Sequence, residues 1–190
     1  MNLCISPIAL LGTSADPPTY GHEVLLKSLC CLFPKVVTWA SDNPMKEHYA
    51  SLNTRHHLLE ILVQELKLPQ VEIRQELSSP QTIKTLEIAS ESWPKSDLVF
   101  IIGSDLVGQI PKWFKAKELL VKARLGIAPR EGWPVNQDDL KVLRSMGAEI
   151  DILPLKIPAT ASSDIRVKPD VSQIPQAILP IILQEKLYGL

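Results

Sequence analysis

The residues best suited to chemistry lie near the start of the chain, in Gly12-Thr13-Ser14-Ala15-Asp16-Pro17-Pro18-Thr19-Tyr20-Gly21-His22. The string follows an apolar run and opens a helical pattern. It is neither the GxGxxG of dinucleotide binders nor the GxxxxGK[ST] of P-loop enzymes, yet it holds the parts of a phosphate site. Gly12 and Thr13 bring backbone N–H groups close to a ligand, and Gly21 lets a phosphate approach the helix start. His22 lies where the helix dipole favours an anion. Thr19 and His22 are three residues apart, so the spacing predicts that both face one ligand across a turn. A second cluster, Ala161-Ser162-Ser163-Asp164-Ile165-Arg166, lies about 140 residues further on. Ser162 and Ser163 can cap a helix and donate to phosphate oxygens, and Arg166 can reach the same oxygens with a fork of donors.

Such residues need a frame. The apolar runs predict strands over Ile8–Leu11, Val36–Ala40, Val71–Arg74, Leu98–Ile102, Leu125–Ala128 and Ile150–Leu153. The continuous run 98–102 is expected of a strand covered on both faces. Between the strands, helices are predicted over His22–Leu32, Arg55–Leu66 with Thr54 as N-cap, Thr82–Ser92, Ala116–Ala123 and Asn136–Met146 ending before Gly147. A last helix is predicted over Pro175–Leu187, with Pro180 as a kink or break. The alternation reads as an α/β doubly wound parallel sheet with right-handed crossovers. In such sheets ligands bind beyond the carboxyl ends of the strands. That singles out 12–22, Ser41–Lys46, Gly103–Asp105 and Ala128–Gly132.

The bulk composition is compatible. The chain has 190 residues, 45% hydrophobic and 22% charged, with a formal charge of −1. This suits one domain over residues 1–190 with a sizeable core. The near-neutral balance gives no footprint for nucleic acid or an anionic membrane. Cys4, Cys30 and Cys31 form no paired spacing, so the thiols are expected reduced and mostly buried, in a cytoplasmic protein. No His/Cys cluster has a metal spacing, so no protein metal site is expected. The sequence admits a homo-oligomer.

The first string resembles the signature of the HxGH/TxGH nucleotidyltransferase superfamily: a glycine-initiated turn, Asp-Pro, then His or Thr, one residue, Gly and His. The second cluster resembles that superfamily's Ile-Ser-Ser-Thr-Glu-Ile-Arg. Within it, nearly the whole chain resembles the nicotinate-nucleotide adenylyltransferase family. Asn43-Pro44-Met45-Lys46 is similar to its Pro-Pro-His-Lys, and Ser51 with Arg55 to its spaced Ser…Arg. Pro80–Leu86 is similar to its Ser-Tyr-Thr-x-x-Thr-Leu, and Gly103-Ser104-Asp105 with Trp113 to its Gly-x-Asp…Trp. Arg130-Glu131-Gly132 is similar to its Arg-x-Gly, and the tail from Ile174-Pro175 to Leu187-Tyr188 to its closing Val-Pro…Leu-Tyr. Departures are Thr13 for the second of two glycines, Ala15 for Phe, Thr19 for His, Met45 for His, Gln81 for Tyr and Lys84 for Asp.

The resemblance implies a Rossmann-like sheet of the nucleotidyltransferase type. It implies transfer of AMP from ATP to nicotinic acid mononucleotide, giving deamido-NAD and pyrophosphate, with Mg²⁺ carried by ATP. His22 and Thr19 would act at the reacting phosphate. Gly12, Thr13, Ser14, Gly21, Lys46, Gly103, Asp105, Ser162, Ser163 and Arg166 would hold ATP, and Thr82, Trp113 and Arg130 the acceptor. Packing is the alternative role for Trp113, and a solvated loop position for Lys46. Nicotinamide mononucleotide and phosphopantetheine stay open as acceptors, as does a non-catalytic nucleotide-binding module.

Overall fold

The computed structural model describes residues 6–160 and 162–190; Cys4 and Ala161 lie outside them. Its strands are β1 (Pro7–Thr13), β2 (Lys35–Ala40), β3 (Val71–Ile73), β4 (Asp97–Gly103), β5 (Arg124–Ala128) and β6 (Ile150–Ile152). The helices between them are α1 (Tyr20–Leu32), α2 (Leu52–Leu66), α3 (Thr82–Ser92), α4 (Ala116–Lys122) and α5 (Gln137–Ser145). Two short helices follow, α6 (Ser162–Val167) and α7 (Leu179–Gln184). All strands pair in parallel, in the order β3-β2-β1-β4-β5-β6. The order reverses between β1 and β4, so a crevice opens at their carboxyl ends.

Successive residues of the central strands are buried on alternate faces of the sheet. Leu98, Phe100 and Ile102 join Leu10, Val37 and Trp39 on one face, under Leu86 of α3, Leu119 of α4 and Leu140 of α5. Val99 and Ile101 join Ala9, Leu11 and Val36 on the other, under Leu25, Leu26 and Leu29 of α1. This is why 98–102 reads as continuously apolar: each face of β4 meets a helical layer. The tail packs on the outside of α2, where Ile165, Ile174, Ile178, Ile182 and Tyr188 meet Leu58 and Leu62. Among the described residues no helix is long and apolar enough to cross a membrane.

Several local expectations change. The cap of α2 is Ser51, whose Oγ accepts from the Thr54 N–H at 3.1 Å, so the helix starts one turn before the predicted Thr54 cap. Pro180 falls in the first turn of α7, where its missing N–H costs no bond, so it starts a short helix and does not kink a long one. A 3₁₀ segment, Ser104–Lys112, was not expected. It buries Ser104, Val107 and Ile110, every third residue, which is the period of that helix and not of an α-helix. Cys30 is half-buried, packed against the core under α1, and Cys31 is exposed, so the thiols are not mostly buried as expected; both are free.

Candidate active site

The cleft is assembled from the ends of the strands. Gly12 pairs in register with Trp39 on β2. A Cβ at position 12 would lie 2.8 Å from the indole ring, so only glycine lets β1 and this tryptophan approach so closely. The loops after β1 and β2 are then sewn together. The Arg55 guanidinium, 1% exposed, donates to Ser14 O at 2.7 Å, Ser41 O at 2.8 Å and Ala50 O at 3.2 Å. Asp16, fully buried, accepts from the N–H groups of Tyr49 at 2.8 Å and Ala50 at 3.2 Å. Residues 14–19 therefore lead into α1 along a fixed path.

That path sets the imidazole of His22. The Thr19 N–H lies 3.0 Å from Nδ1, and a main-chain N–H can only donate. Nδ1 is thus unprotonated, and in the neutral ring the proton is on Nε2. Nε2 lies 2.8 Å from Thr13 Oγ1. Thr19 is fully buried and does not line the cleft; its hydroxyl lies 2.9 Å from Nδ1. Three-residue spacing did place Thr19 and His22 together, but Thr19 is the N-cap of α1. It supports the ring from behind instead of facing a ligand. Burial, with Arg130 and Lys46 nearby, holds the His22 pKa at about 4, against an ordinary 6.5.

Proton binding to an unfolded chain therefore exceeds that to the folded protein between these two values. This histidine lowers stability as pH falls through that window and leaves it unchanged above. In an NMR titration, one imidazole of the four should keep its Nε2–H form down to about pH 5 and protonate near 4, and its signals should be missing in His22→Ala. A His22 ring that protonates near 6.5 would contradict the geometry.

The segment around α6 closes over the start of α1. Ser162 Oγ donates to Pro17 O at 2.8 Å, and an Arg166 Nη donates to Asp16 O at 2.8 Å. The Arg166 guanidinium stacks 5.5 Å from the Tyr49 ring centre. Ser163 Oγ is exposed and 3.3 Å from Asp164. A Cβ on Gly21 would stand 3.1 Å from Thr160 O, so the glycine admits this approach. From the other side, Arg130 pairs with Asp105 at 3.3 Å and donates to Thr160 O at 3.2 Å. Ser104 pins both turns: it accepts from the Arg130 N–H at 3.0 Å and donates to Trp133 O at 2.6 Å. A Cβ on Gly103 would clash with the Asp105 carboxylate. Lys46 completes the ring of charge; burial lowers its pKa, Asp105 opposes this, and Arg166 and Arg130 add to it.

The cleft between these groups has a volume of about 1030 Å³. It is at the upper end of small-molecule sites, with room for two nucleotide-sized ligands. Gly12, Thr13, Ser14, Gly21, His22, Lys46, Gly103, Asp105, Arg130, Ser162, Ser163 and Arg166 all line it, as do Thr82 and Trp113. Thr82 is the first residue of α3. Trp113 meets Phe100 edge to face at 6.4 Å and packs on the core as well as lining the cleft. Thus Lys46, Arg130 and Arg166 make the cleft cationic near the starts of α1 and α6, and Trp113, just beyond the 3₁₀ segment, gives it an aromatic wall. Arg55, Asp16 and Ser104, which hold the frame, were not foreseen as site residues. Only the Asp-Pro and Ser…Arg spacings hinted at two of them.

Residues 10–168 match the family model described as cytidylyltransferase-like. A Synechocystis protein named as a probable nicotinate-nucleotide adenylyltransferase is 36% identical, over 95% of this chain and 98% of its own. The nicotinate-nucleotide adenylyltransferase of Bacillus subtilis is 30% identical over 60% of this chain and 64% of its own. In fold, the chain superposes on the nicotinic acid mononucleotide adenylyltransferase of Plasmodium falciparum, determined in complex with NaAD. Their TM-score is 0.81 at 20% identity, over 97% of this chain and 98% of the other.

Proposed function

Because the chain belongs to the cytidylyltransferase-like family and, within it, to the nicotinate-nucleotide adenylyltransferases, we propose that its cleft transfers AMP from ATP to nicotinic acid mononucleotide. The products are deamido-NAD and pyrophosphate, a step of NAD biosynthesis. The observation that carries the site assignment is the convergence of the His22 Nε2–H with Lys46, Arg130 and Arg166 at the start of α1.

An oxygen of the acceptor's 5′-phosphate attacks the α-phosphorus of ATP. The bond from that phosphorus to the β-bridging oxygen breaks, and pyrophosphate leaves with the electron pair. No protein nucleophile is needed, so positioning and charge stabilisation supply the catalysis. His22 donates its Nε2–H to an α-phosphate oxygen as charge builds there. Ser162, Ser163 and Arg166 hold the β- and γ-phosphates, and Lys46 adds charge between them. Gly12, Thr13, Ser14 and Gly21 leave the backbone open to the triphosphate, and Gly103 and Asp105 stand on the ribose side. Trp113 and Thr82 receive the pyridine end of the acceptor, with Arg130 between the two substrates.

The residues fit Mg²⁺ as an ion that keeps water and phosphate ligands. Asp105 is already paired with Arg130, and the surrounding donors are cationic. When bound on the triphosphate, Mg²⁺ would supply charge neutralisation at the leaving group. One continuous six-stranded sheet supports reading the whole chain as one nucleotidyltransferase domain.

Pyrophosphate release from ATP and Mg²⁺ tests the reaction, with nicotinic acid mononucleotide, nicotinamide mononucleotide or no acceptor. The acid should exceed the other two by an order of magnitude or more. Equal release without an acceptor would mark a hydrolase and overturn the proposal.

A further inference from the structure

Thr13 ends β1 at the position where the resembled pattern has a second glycine, and it is the one hydroxyl recorded against His22 Nε2 among the described residues. The tautomer argument makes the direction of that bond definite. Thr19 N–H occupies Nδ1, so Nε2 carries the proton and Thr13 Oγ1 accepts it at 2.8 Å. The same oxygen lies 3.3 Å from the Ala15 N–H, which also donates to it. Two donors therefore fix the hydroxyl, and through it the ring. Both Thr13 and His22 line the cleft.

A phosphate oxygen that accepts an aligned hydrogen bond from the His22 Nε2–H must come to the place where Thr13 Oγ1 now stands. We infer that Thr13 is a positioning residue whose hydroxyl caps His22 in the free enzyme, and that the α-phosphate of ATP must displace this cap to engage the ring. The cap holds the imidazole in the Nε2–H form and aimed into the cleft before substrate arrives. Its cost is affinity, because ATP exchanges one hydrogen bond for another instead of gaining one. An unsatisfied His22 donor would bind phosphate more tightly. The threonine thus weakens nucleotide binding in the ground state while keeping the catalytic donor oriented.

This inference rests on His22 as the α-phosphate donor, and the test separates the two. ATP affinity is measured by calorimetry for the wild type, Thr13→Val, Thr13→Ser, His22→Ala and the Thr13→Val/His22→Ala double variant. Valine keeps the volume and removes the acceptor. Thr13→Val should bind ATP about three- to tenfold more tightly, the value of one neutral hydrogen bond. Thr13→Ser, which restores the acceptor, should cancel the gain. In the His22→Ala background the valine should bring no gain, since the coupling partner is gone. Exchange of the His22 Nε2 proton with water should speed up in Thr13→Val and slow again in Thr13→Ser. Weaker or unchanged ATP binding by Thr13→Val, or a gain that persists without His22, would overturn the cap. If His22→Ala alone binds and turns over ATP like the wild type, the reading of His22 fails first.

Discussion

His22→Ala should lower kcat by at least about 100-fold, the scale seen when one preorganised donor to a developing charge is removed. The apparent KM values should change far less. In the free enzyme the ring's proton is already satisfied by Thr13, so ATP binding exchanges one hydrogen bond for another and the net gain comes mainly as the α-phosphorus gains charge. The melting temperature should fall only modestly, because water at the cleft can replace the bond to Thr13 while the buried Thr19 N–H loses its partner. Steady-state kinetics with saturating ATP and acceptor, beside a melting curve, decide the matter. A folded His22→Ala enzyme within a few fold of normal turnover would remove His22 from the reaction.

Arg55→Met should be the most destabilising single change in the frame of the site. One guanidinium serves the main-chain oxygens of Ser14, Ser41 and Ala50, and the side chain is 1% exposed. Methionine fills much of the space and offers no donor, so three oxygens lose charge-assisted partners. The expected loss is about 4 kcal/mol, or about 10 °C in Tm for a chain of this length. Urea denaturation measures it. ATP affinity should fall in parallel, because residues 14–19 and 41–50 would no longer share an anchor. A loss below about 1 kcal/mol would mean that water reaches these oxygens readily.

The strands were readable because local composition determines them. β4 is apolar on both faces, and its two helical layers account for that directly. Helix ends were less readable where two capping residues compete, as Ser51 and Thr54 do three positions apart. The cationic end of the cleft was foreseen as a set of residue types after strand ends, and the sheet brings those residues together. The frame behind it was not. Arg55 reaches Ser14 across 41 positions, and Asp16 reaches Tyr49 across 33. No periodicity or spacing encodes such bonds; they exist only once β1 and β2 are adjacent. Thr19 shows the complementary error. Its separation from His22 was right, but whether a capping residue points outward or beneath its helix depends on how the preceding loop arrives.

The two bonds that dock α6 on the start of α1, Ser162 to Pro17 and Arg166 to Asp16, join positions 145 and 150 apart. They are contacts of very high order, and they cannot form before the segments at both ends have been made. On the proposed reading, competence toward ATP comes only once α6 has docked on the start of α1. A polypeptide still emerging from the ribosome can hold the residues of β1, β2 and β3 in its first half, yet it lacks the serines and the arginine proposed to hold the triphosphate. A chain that has not yet made residues 162–166 is therefore expected to be silent toward ATP, and the onset of activity would report that this segment has docked.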